Sequence, residues 1–382
     1  MGTNKFFEIG VMKGITKIVR LFDSTDPLRL ENGKSLDQIT VAYETHGKLN
    51  SDGSNVILIC HALTGEAHVA GEAVYSDEIL KAAPLLRAIK PNHEGWWDGV
   101  IGPGKLFNSD RFFIICSNIL GSCYGTSGPA SINQDTNKPY KTDFPQISVR
   151  DMVKVQYALL KKLDVQQITL ITGGSLGGMQ VLEWAMMYPE MVKSIVPIAT
   201  AAQHSAWCIG INHLARKAII NDPLWNNGNY QSQPVHGLAL ARKIGMVSYR
   251  SDIIFNARFA RERVGNPSNM FQVESYLNYQ GEKLVKRFDA NCYLYLTRAM
   301  DNHDLARGRG SLAAALASIK SKTLCIGIDS DILYPAHEQK SIAKFIPNSR
   351  YVEIKSDYGH DAFLIEFEQL NDIIAPFLEE VV

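Results

Sequence analysis

One serine stands in a turn that could make its hydroxyl a nucleophile. Residues 168–180 read ITLITGGSLGGMQ, so an apolar run leads into a G-x-S-x-G element and a helical pattern follows. This arrangement of strand, turn and helix is a nucleophile elbow, which exposes the serine hydroxyl on a strained turn. The glycines permit the tight turn, and the following helix N-terminus favours a nearby oxyanion. The pattern therefore predicts a nucleophile at Ser175, and a serine that merely caps the helix is the alternative.

A serine hydroxyl becomes an effective nucleophile only when a base takes its proton. In enzymes that use this elbow, the chain order is serine, then acid, then histidine. Three histidines lie late in the chain: His303, His337 and His360. His303 falls in a helical stretch and His337 on a helix surface, whereas His360 follows a strand-like run and a short loop. We therefore expect His360 to be the general base, with a loop histidine that caps the next helix as the alternative.

The acid that orients this histidine should come just after the preceding strand. There the apolar run 324–328 ends in Asp329-Ser330-Asp331. Either aspartate could orient the imidazole, and either could instead be a turn or N-cap residue. The residues alone leave this choice open.

Two backbone N–H groups are candidates for an oxyanion hole. In such sites one donor follows the nucleophile and the other comes from the loop after an early strand. Here the apolar run 56–60 leads into the loop 61–65, which reads HALTG. The N–H groups of Leu63 and Leu176 fit these two positions. A simple turn is the alternative for the loop.

Alternating strands and helices must position these groups. Continuous apolar runs of this length are typical of central strands in a parallel sheet that is covered on both faces. Helical patterns at 150–163 and 178–187 lie between some of them. The alternation predicts an α/β fold with a mainly parallel central sheet, helices on both faces and right-handed crossovers. The predicted strands are 56–60, 112–116, 168–172, 194–199, 324–328 and 351–354.

The pattern changes between residues 201 and 318, where no run typical of a buried strand occurs. The strand pattern returns only at Leu324. We therefore predict a core domain formed by residues 1–200 and 319–382, with residues 201–318 inserted as a helical lid domain. The helical segments predicted within the lid are 205–220, 235–248, 269–280 and 292–300.

Composition excludes several other classes of protein. The 382 residues include 39 basic and 39 acidic side chains, so the net charge gives no indication of binding to nucleic acid or anionic membrane. No apolar run approaches the roughly 20 residues of a transmembrane helix, and the first residues lack the pattern of a secretory signal. Six scattered cysteines without a C-x-x-C pair disfavour a zinc or thiol redox centre, so no metal site is expected. They favour a reduced, cytoplasmic setting.

Seven segments together closely resemble the homoserine O-acetyltransferase family, the α/β-hydrolase-fold acyltransferases of methionine biosynthesis. The resemblance extends from about residue 43 to residue 364 and implies an α/β-hydrolase fold with a helical lid. The matching segments are Val41-Ala-Tyr-Glu-Thr-His-Gly47, His61-Ala-Leu-Thr-Gly65 followed by His68, Trp96-Trp97-Asp98, Gly121-Ser-Cys-Tyr-Gly-Thr-Ser-Gly-Pro129, Gly173-Gly-Ser-Leu-Gly-Gly-Met-Gln180, Arg287-Phe-Asp-Ala-Asn291 and Gly359-His-Asp-Ala-Phe-Leu364.

The resemblance also implies roles for individual residues. Ser175 would carry the acyl group and His360 would be the base. The family's acid stands in a Ser-Asp-x-Leu-Tyr-Pro setting, which is found here at 330–335 and favours Asp331.

The family's homoserine-binding residues fall on Arg242, Tyr249 and Asp361. The guanidinium of Arg242 could bind the carboxylate of homoserine, and Asp361 could bind its ammonium group beside the catalytic histidine. Without the resemblance, Arg242 and Tyr249 would be read as parts of a solvated helix face and Asp361 as a helix cap.

The implied activity is ping-pong transfer of an acetyl group from acetyl-CoA to the hydroxyl of L-homoserine, the first committed step toward methionine. Acetyl-CoA would be a co-substrate and no bound cofactor is expected, while the lid helices of such enzymes build a homodimer. Succinyl transfer and acylation of serine are alternatives, because relatives of this family catalyse them. The departures from the family pattern at Ala67, Ser122 and Ser127 leave the size of the acyl chain open. An esterase or thioesterase would use the same triad, and a non-catalytic binding module would lack a working elbow.

Overall fold

The computed structural model describes residues 12–89, 92–265 and 269–382, and within them a nine-stranded sheet forms the centre of the molecule. The strands are β1 (Lys13–Leu21), β2 (Leu28–Arg29), β3 (Ser35–Leu36), β4 (Ile39–His46), β5 (Val56–Ile59), β6 (Glu72–Tyr75), β7 (Phe113–Ser117), β8 (Ile132–Asn133), β9 (Lys138–Pro139), β10 (Ile168–Gly174), β11 (Val192–Ile198), β12 (Lys322–Ile328) and β13 (Ser349–Ile354). The strand order in the large sheet is β13-β12-β11-β10-β5-β7-β4-β1-β6, and two short hairpins, β2–β3 and β8–β9, lie outside it.

All six predicted strands are confirmed, as β5, β7, β10, β11, β12 and β13. Each pairs in parallel with its neighbours within this group. Strands β5 and β10 are buried along their whole length, which explains their continuous apolar sequence. The carboxyl ends of these strands therefore meet at one edge of the sheet.

Three further strands, β1, β4 and β6, extend the sheet beyond β7 and were not predicted. Strand β4 runs antiparallel to both β7 and β1. Buried and more exposed residues alternate along β1, and β4 buries the polar Glu44 and His46. A search for continuous apolar runs overlooks both patterns.

Helices cover both faces of the sheet. Side chains of β5 separate into two apolar clusters, with Val56 and Leu58 in one and Ile57 and Ile59 in the other. The helices are α1 (Asp77–Ala82), α2 (Val149–Lys162), α3 (Leu176–Met187), α4 (Ala206–Ile220), α5 (Val235–Tyr249), α6 (Asp252–Phe259), α7 (Gln272–Arg287), α8 (Ala290–Asp301), α9 (Leu312–Ala317), α10 (Ala336–Phe345) and α11 (Phe367–Glu379). The first cluster includes residues of α2, α3 and α10, and the second includes residues of α11.

The helical character of the inserted segment is confirmed, because α4 to α9 lie between β11 and β12. Helices α4, α5, α7 and α8 correspond to the four predicted segments, although α7 runs seven residues further than expected, from a predicted end at 280 to Arg287. Helices α6 and α9 were missed because both are short. The division into a core of 1–200 and 319–382 and a lid of 201–318 stays a prediction.

Within the described ranges, none of the helices combines the length and apolarity that a bilayer-spanning segment needs. The prediction about a secretory signal concerns the first residues of the chain, and residues 1–11 lie outside the described ranges.

Candidate active site

Ser175 occupies the sharp turn between β10 and α3. Its backbone has φ 60° and ψ −125°, a conformation that is strained for a residue with a side chain. Its N–H donates to the carbonyl of Ile198 at 3.0 Å, but its hydroxyl makes no capping hydrogen bond to the helix. The structure therefore gives no support to the helix-cap alternative, and it leaves the hydroxyl available for chemistry.

Two glycines of the elbow allow its close approach to the end of β5. A Cβ atom added at Gly173 or Gly177 would lie 2.3 or 2.1 Å from the backbone oxygen of Cys60. Neither contact can be relieved by rotating a side chain, because the obstructing atom belongs to the backbone. These glycines bring the serine turn beside the loop 61–65, which carries the second candidate oxyanion donor.

We predict that Gly177→Ala destabilises the protein by about 1–3 kcal/mol, the usual cost of forcing extra volume into a packed site. Urea unfolding of purified protein would measure this. Gly210→Ala is the matched control, because Gly210 also lies in a helix but its added Cβ meets no heavy atom within 4 Å. Equal stability of the Gly177 variant and wild type would show that the elbow is looser than its contacts indicate.

His360 pairs with Asp331 and not with Asp329. The distance from Nδ1 of His360 to Oδ2 of Asp331 is 2.7 Å, and both residues are buried. The other oxygen of Asp331 accepts hydrogen bonds from the N–H groups of Leu333 (2.8 Å) and Tyr334 (2.9 Å). Asp329 instead accepts from the N–H of Ser356 at 3.0 Å. The geometry therefore selects Asp331 as the residue able to orient the imidazole.

Several groups around His360 affect its pKa. Burial lowers it, but the charge and hydrogen bond of Asp331 and the charge of Asp361 raise it by more, so the pKa of His360 lies above its ordinary value. The imidazole Nε2 must be unprotonated to accept a proton from a hydroxyl.

We therefore predict that acyl-enzyme formation falls as the pH falls through a pKa higher than the ordinary histidine value of 6.5. Asp361→Asn removes one of the charges that raise this pKa. The acidic limb of the variant's pH–rate profile should therefore lie at lower pH than that of the unaltered protein. The measurement is the rate of thiol release from acetyl-CoA alone across a pH series. If the rate of the unaltered protein falls through a pKa at or below 6.5, the effect assigned to the charges of Asp331 and Asp361 is wrong.

Ser175 and His360 open into one cavity of about 410 Å³. Their side chains make no mutual hydrogen bond among the described residues, which is common in the absence of substrate. Asp331 lies behind His360, and Leu176 lies at the start of α3. The six predicted site residues that line the cavity are Leu63, Ser175, Arg242, Tyr249, His360 and Asp361.

The two candidate oxyanion donors are both available. Leu176 is the first residue of α3, so its N–H has no partner within the helix. In the described ranges, the N–H of Leu63 also makes no backbone hydrogen bond. Arg287 of α7 holds the adjacent loop residue, because its Nη1 donates to the carbonyl of Thr64 at 3.0 Å and to the hydroxyl of Tyr124 at 2.7 Å. Arg287 stood in a recognised segment, but sequence reasoning gave it no role.

The predicted substrate-binding residues lie in the same cavity as His360. Arg242 and Tyr249 lie seven residues apart on one face of α5, and the Arg242 guanidinium is 5.6 Å from the Tyr249 ring centroid. The Tyr249 ring is 6.0 Å from that of His360. Arg242 forms no ion pair with a described carboxylate, whereas Asp361 is 3.1 Å from Nη2 of Arg250. The structure thus places Arg242, a cation without a carboxylate partner among the described residues, and the carboxylate of Asp361 in the same cavity, whose wall also includes Glu66, Lys283 and Arg287.

A second buried histidine lies on the far side of His360, and sequence reasoning missed it. The ring of Tyr334 is 5.2 Å from that of His360, and its hydroxyl is 2.9 Å from Nε2 of His204. The Nδ1 of His204 is in turn 3.2 Å from Oδ1 of Asp301. These groups fix the wall against which the His360 ring packs, and no local sequence pattern marks them.

The three positions that depart from the family pattern lie away from the cavity. Ala67, Ser122 and Ser127 are buried, but none of them lines it. Ser122 accepts a hydrogen bond from Asn118, and Ser127 accepts one from the N–H of Thr40. The side chains at these three positions therefore do not form part of the cavity wall. The part of the chain that the structure describes also holds no cluster of three or more residues suited to a metal ion.

The elbow, the buried histidine–aspartate pair and the mixed sheet are those of the α/β-hydrolase class, and the family model described as alpha/beta hydrolase fold matches residues 55–367. A homoserine O-acetyltransferase of Carboxydothermus hydrogenoformans is 48% identical over 97% of this chain and 98% of its own. Another, of Moorella thermoacetica, is 49% identical over 95% and 96%. The chain belongs to the homoserine O-acetyltransferase family, so the predicted fold class and family are both confirmed.

Solved structures of an acetyltransferase and of an esterase share this fold. The crystal structure of homoserine O-acetyltransferase from Bacillus anthracis superposes with a TM-score of 0.85 at 29% identity, covering 95% of this chain and 98% of that one. Esterase E22 superposes with a TM-score of 0.83 at 30% identity, covering 95% and 99%. A similar structure therefore carries the name of a hydrolase.

Proposed function

We propose that this protein transfers the acetyl group of acetyl-CoA to the side-chain hydroxyl of L-homoserine, a reaction that leads toward methionine. The relatives supply the name of the activity. The observation that carries the proposal for this chain is the cavity, in which Arg242 and Asp361 lie beside Ser175 and His360. An amino-acid acceptor has a carboxylate and an ammonium group, and Arg242 and Asp361 offer a charge of each sign beside the triad to receive them.

The first half-reaction would acylate the serine. Nε2 of His360 takes the proton of the Ser175 hydroxyl, and Oγ attacks the carbonyl carbon of the thioester. The N–H groups of Leu63 and Leu176 stabilise the oxyanion. The carbon–sulfur bond then breaks, and the thiol of coenzyme A leaves with the proton from His360. An acetyl ester of Ser175 remains.

The second half-reaction repeats these steps with a different nucleophile. Homoserine binds with its carboxylate at Arg242 and its ammonium group at Asp361. Tyr249 lines the cavity between Arg242 and His360. Its hydroxyl gives a proton to His360 and attacks the ester carbon. Ser175 leaves and regains the proton, so the product is O-acetylhomoserine and the enzyme is unchanged.

The lid would protect the ester from water between the two steps. Each of four lid helices contributes side chains to the cavity wall, and several of these are apolar: Cys208 and Ile211 of α4 and Met300 of α8, with Tyr249 of α5 and Arg287 of α7 beside them. Hydrolysis of the acyl-enzyme would otherwise compete with transfer.

Ester hydrolysis is the second candidate function, because esterase E22 has a closely similar structure. The same triad would hydrolyse the acyl-enzyme if water outcompeted the alcohol. A hydrolase has no use for a pair of opposite charges that binds an amino acid, and this favours the transferase.

The test is thiol release from acetyl-CoA with and without L-homoserine, with parallel reactions that contain succinyl-CoA or L-serine. Multiple turnovers that require both acetyl-CoA and homoserine would support the proposal. Turnover with succinyl-CoA or serine instead would keep the mechanism and change the substrate. Sustained release without any amino acid would indicate a hydrolase.

We also propose that α4 and α5 form the contact of a homodimer. Trp207 and Leu214 on α4 are 57% and 59% exposed, and Leu240 and Val247 on α5 are 49% and 51% exposed. Each pair is seven residues apart, so each helix turns an apolar stripe outward. Contiguous apolar surface of this kind is typical of a subunit interface.

Leu240→Glu should therefore shift the protein toward monomer, because a carboxylate buried without a partner weakens association. We expect Kd for the dimer to rise by at least about 30-fold, equivalent to roughly 2 kcal/mol. Light scattering after size-exclusion chromatography would measure the mass. Ile132→Glu is the control, since Ile132 is 46% exposed but lies on a hairpin of the core. A monomeric unaltered protein would refute the proposed interface.

A cytoplasmic location is part of the same proposal. All six cysteines are free thiols and all are buried, which suits a reducing compartment. Coenzyme A thioesters are the expected acyl donors there.

A further inference from the structure

The loop that carries His360 is held by two consecutive lid residues, Arg250 and Ser251, at the junction of α5 and α6. The hydroxyl of Ser251 donates a hydrogen bond to the carbonyl of Asp357. Gly359 has a positive φ of 69°, and a Cβ added there would lie 2.6 Å from the backbone nitrogen of Ser251. Lid and loop therefore touch backbone to backbone at this point. Arg250 lies at the centre of the contact.

The side chain of Arg250 approaches Asp361 from behind the cavity. Its Nη2 is 3.1 Å from Oδ2 of Asp361, and its guanidinium is 5.9 Å from the ring centroid of Tyr358. The two charged side chains are only 20% and 18% exposed, so solvent screens their interaction weakly. Asp361 lines the cavity but Arg250 does not.

This arrangement separates the roles of two arginines. Arg242 faces the cavity and has no carboxylate partner among the described residues, so it can receive the carboxylate of a substrate. Arg250 is already paired and is shielded from the cavity by Asp361. Its side chain can influence a bound molecule through Asp361, the cavity-lining carboxylate that it contacts.

We propose that Arg250 is a positioning residue that sets the specificity for amino-acid acceptors. It fixes the rotamer of the Asp361 carboxylate through the contact at 3.1 Å, so that the carboxylate can accept the ammonium group of the acceptor. The inference rests on the proposed function, and it identifies the ammonium group as the part of the acceptor that Arg250 controls. Holding a charged partner in place before binding lowers the entropy lost when the ligand arrives.

The experiment compares two acceptors that differ only in the ammonium group, L-homoserine and 4-hydroxybutanoate. Steady-state acetyl transfer from acetyl-CoA to each is measured for the unaltered protein, Arg250→Gln and Arg250→Lys. The burst of thiol released on mixing with acetyl-CoA alone is measured for the same proteins. Arg258→Gln is the matched control, because Arg258 lies on the neighbouring α6, contacts the rings of Phe259 and Tyr276, and does not line the cavity.

We expect Arg250→Gln to lower kcat/KM for homoserine by roughly 10- to 100-fold, the range for a disordered hydrogen bond to a charged group. The loss should appear mainly in KM. With 4-hydroxybutanoate, and in the burst rate, the variant should remain within about threefold of the unaltered protein, since no ammonium group is involved. Arg250→Lys should recover part of the loss because it keeps the charge.

Equal losses with both acceptors and in the burst would overturn the inference, since Arg250 would then only hold the His360 loop in place. Unchanged kinetics with homoserine would overturn it as well. An unaltered protein that does not acylate homoserine would refute the proposed function itself, and the inference with it. The Arg250→Lys variant and thermal unfolding of all variants distinguish these outcomes from a failure to fold.

Discussion

Ser175→Ala is expected to lower the rate of acetyl transfer by at least about 10⁴-fold, the scale seen when the nucleophile of a catalytic triad is removed. The reason is that no other hydroxyl stands at the elbow between β10 and α3. Without Oγ no acyl-enzyme can form, so the loss should affect thiol release with and without homoserine. The measurement is thiol release from acetyl-CoA under saturating substrate.

The same variant should fold normally, and this provides its control. The Ser175 hydroxyl makes no capping hydrogen bond, and the strained backbone is held by the glycine contacts around it. We expect its free energy of unfolding to stay within about 0.5 kcal/mol of the unaltered protein, as for substitutions that remove no stabilising contact. Residual transfer above one per cent in the folded variant would show that another group is the nucleophile.

Asp331→Asn is expected to lower kcat by about 10³- to 10⁴-fold, through the tautomer of His360. One oxygen of Asp331 accepts two backbone N–H groups, those of Leu333 and Tyr334. An asparagine must keep its carbonyl oxygen at that place, so its amide N–H₂ would point at Nδ1 of His360. The imidazole would then carry its proton on Nε2 and could not accept one from Ser175.

Asp329→Asn is the matched control for this prediction. Asp329 lies two residues earlier in the same loop and accepts a hydrogen bond from the N–H of Ser356, but it does not contact His360. We expect Asp329→Asn to keep kcat within about threefold, because a neutral carbonyl oxygen can accept the same bond. Comparable losses in the two variants would contradict the assignment of Asp331. The comparison uses steady-state acetyl transfer at the pH optimum.

The elbow could be predicted because its signal is local. Strand, turn and helix are contiguous in the sequence around Ser175, and the glycines that shape the turn, Gly173 and Gly177, are only two residues from it. The parallel strands could be predicted for a similar reason, since burial on both faces leaves a continuous apolar run. Strand β4 carries the buried polar Glu44 and His46, which removed that signal.

The acid could not be chosen from the sequence without the resemblance. Asp329 and Asp331 are two residues apart in the same turn, and both are of the same chemical type. Only the fold of the loop determines which one faces His360. The resemblance pointed to Asp331, and the contact of 2.7 Å supports it on independent grounds.

The contacts between lid and core are the least predictable part of the site. Arg287 and Thr64 are 223 positions apart, and Arg250 and Asp361 belong to different segments that meet only in the folded chain. An arginine on a helix is usually a solvated residue, so nothing in the local pattern of Arg242 or Arg250 marks either as part of a site. Such residues can be assigned to a site only from a family resemblance or from a structure.

The central claim is that the acyl group passes through Ser175, and the most direct measurement is mass spectrometry of the protein after brief mixing with acetyl-CoA alone. We predict an increase equal to one acetyl group per chain, located on the peptide that contains Ser175 and removed when L-homoserine is added. An acetyl group on another residue would contradict the account. So would an unmodified protein that releases thiol only when both substrates are present.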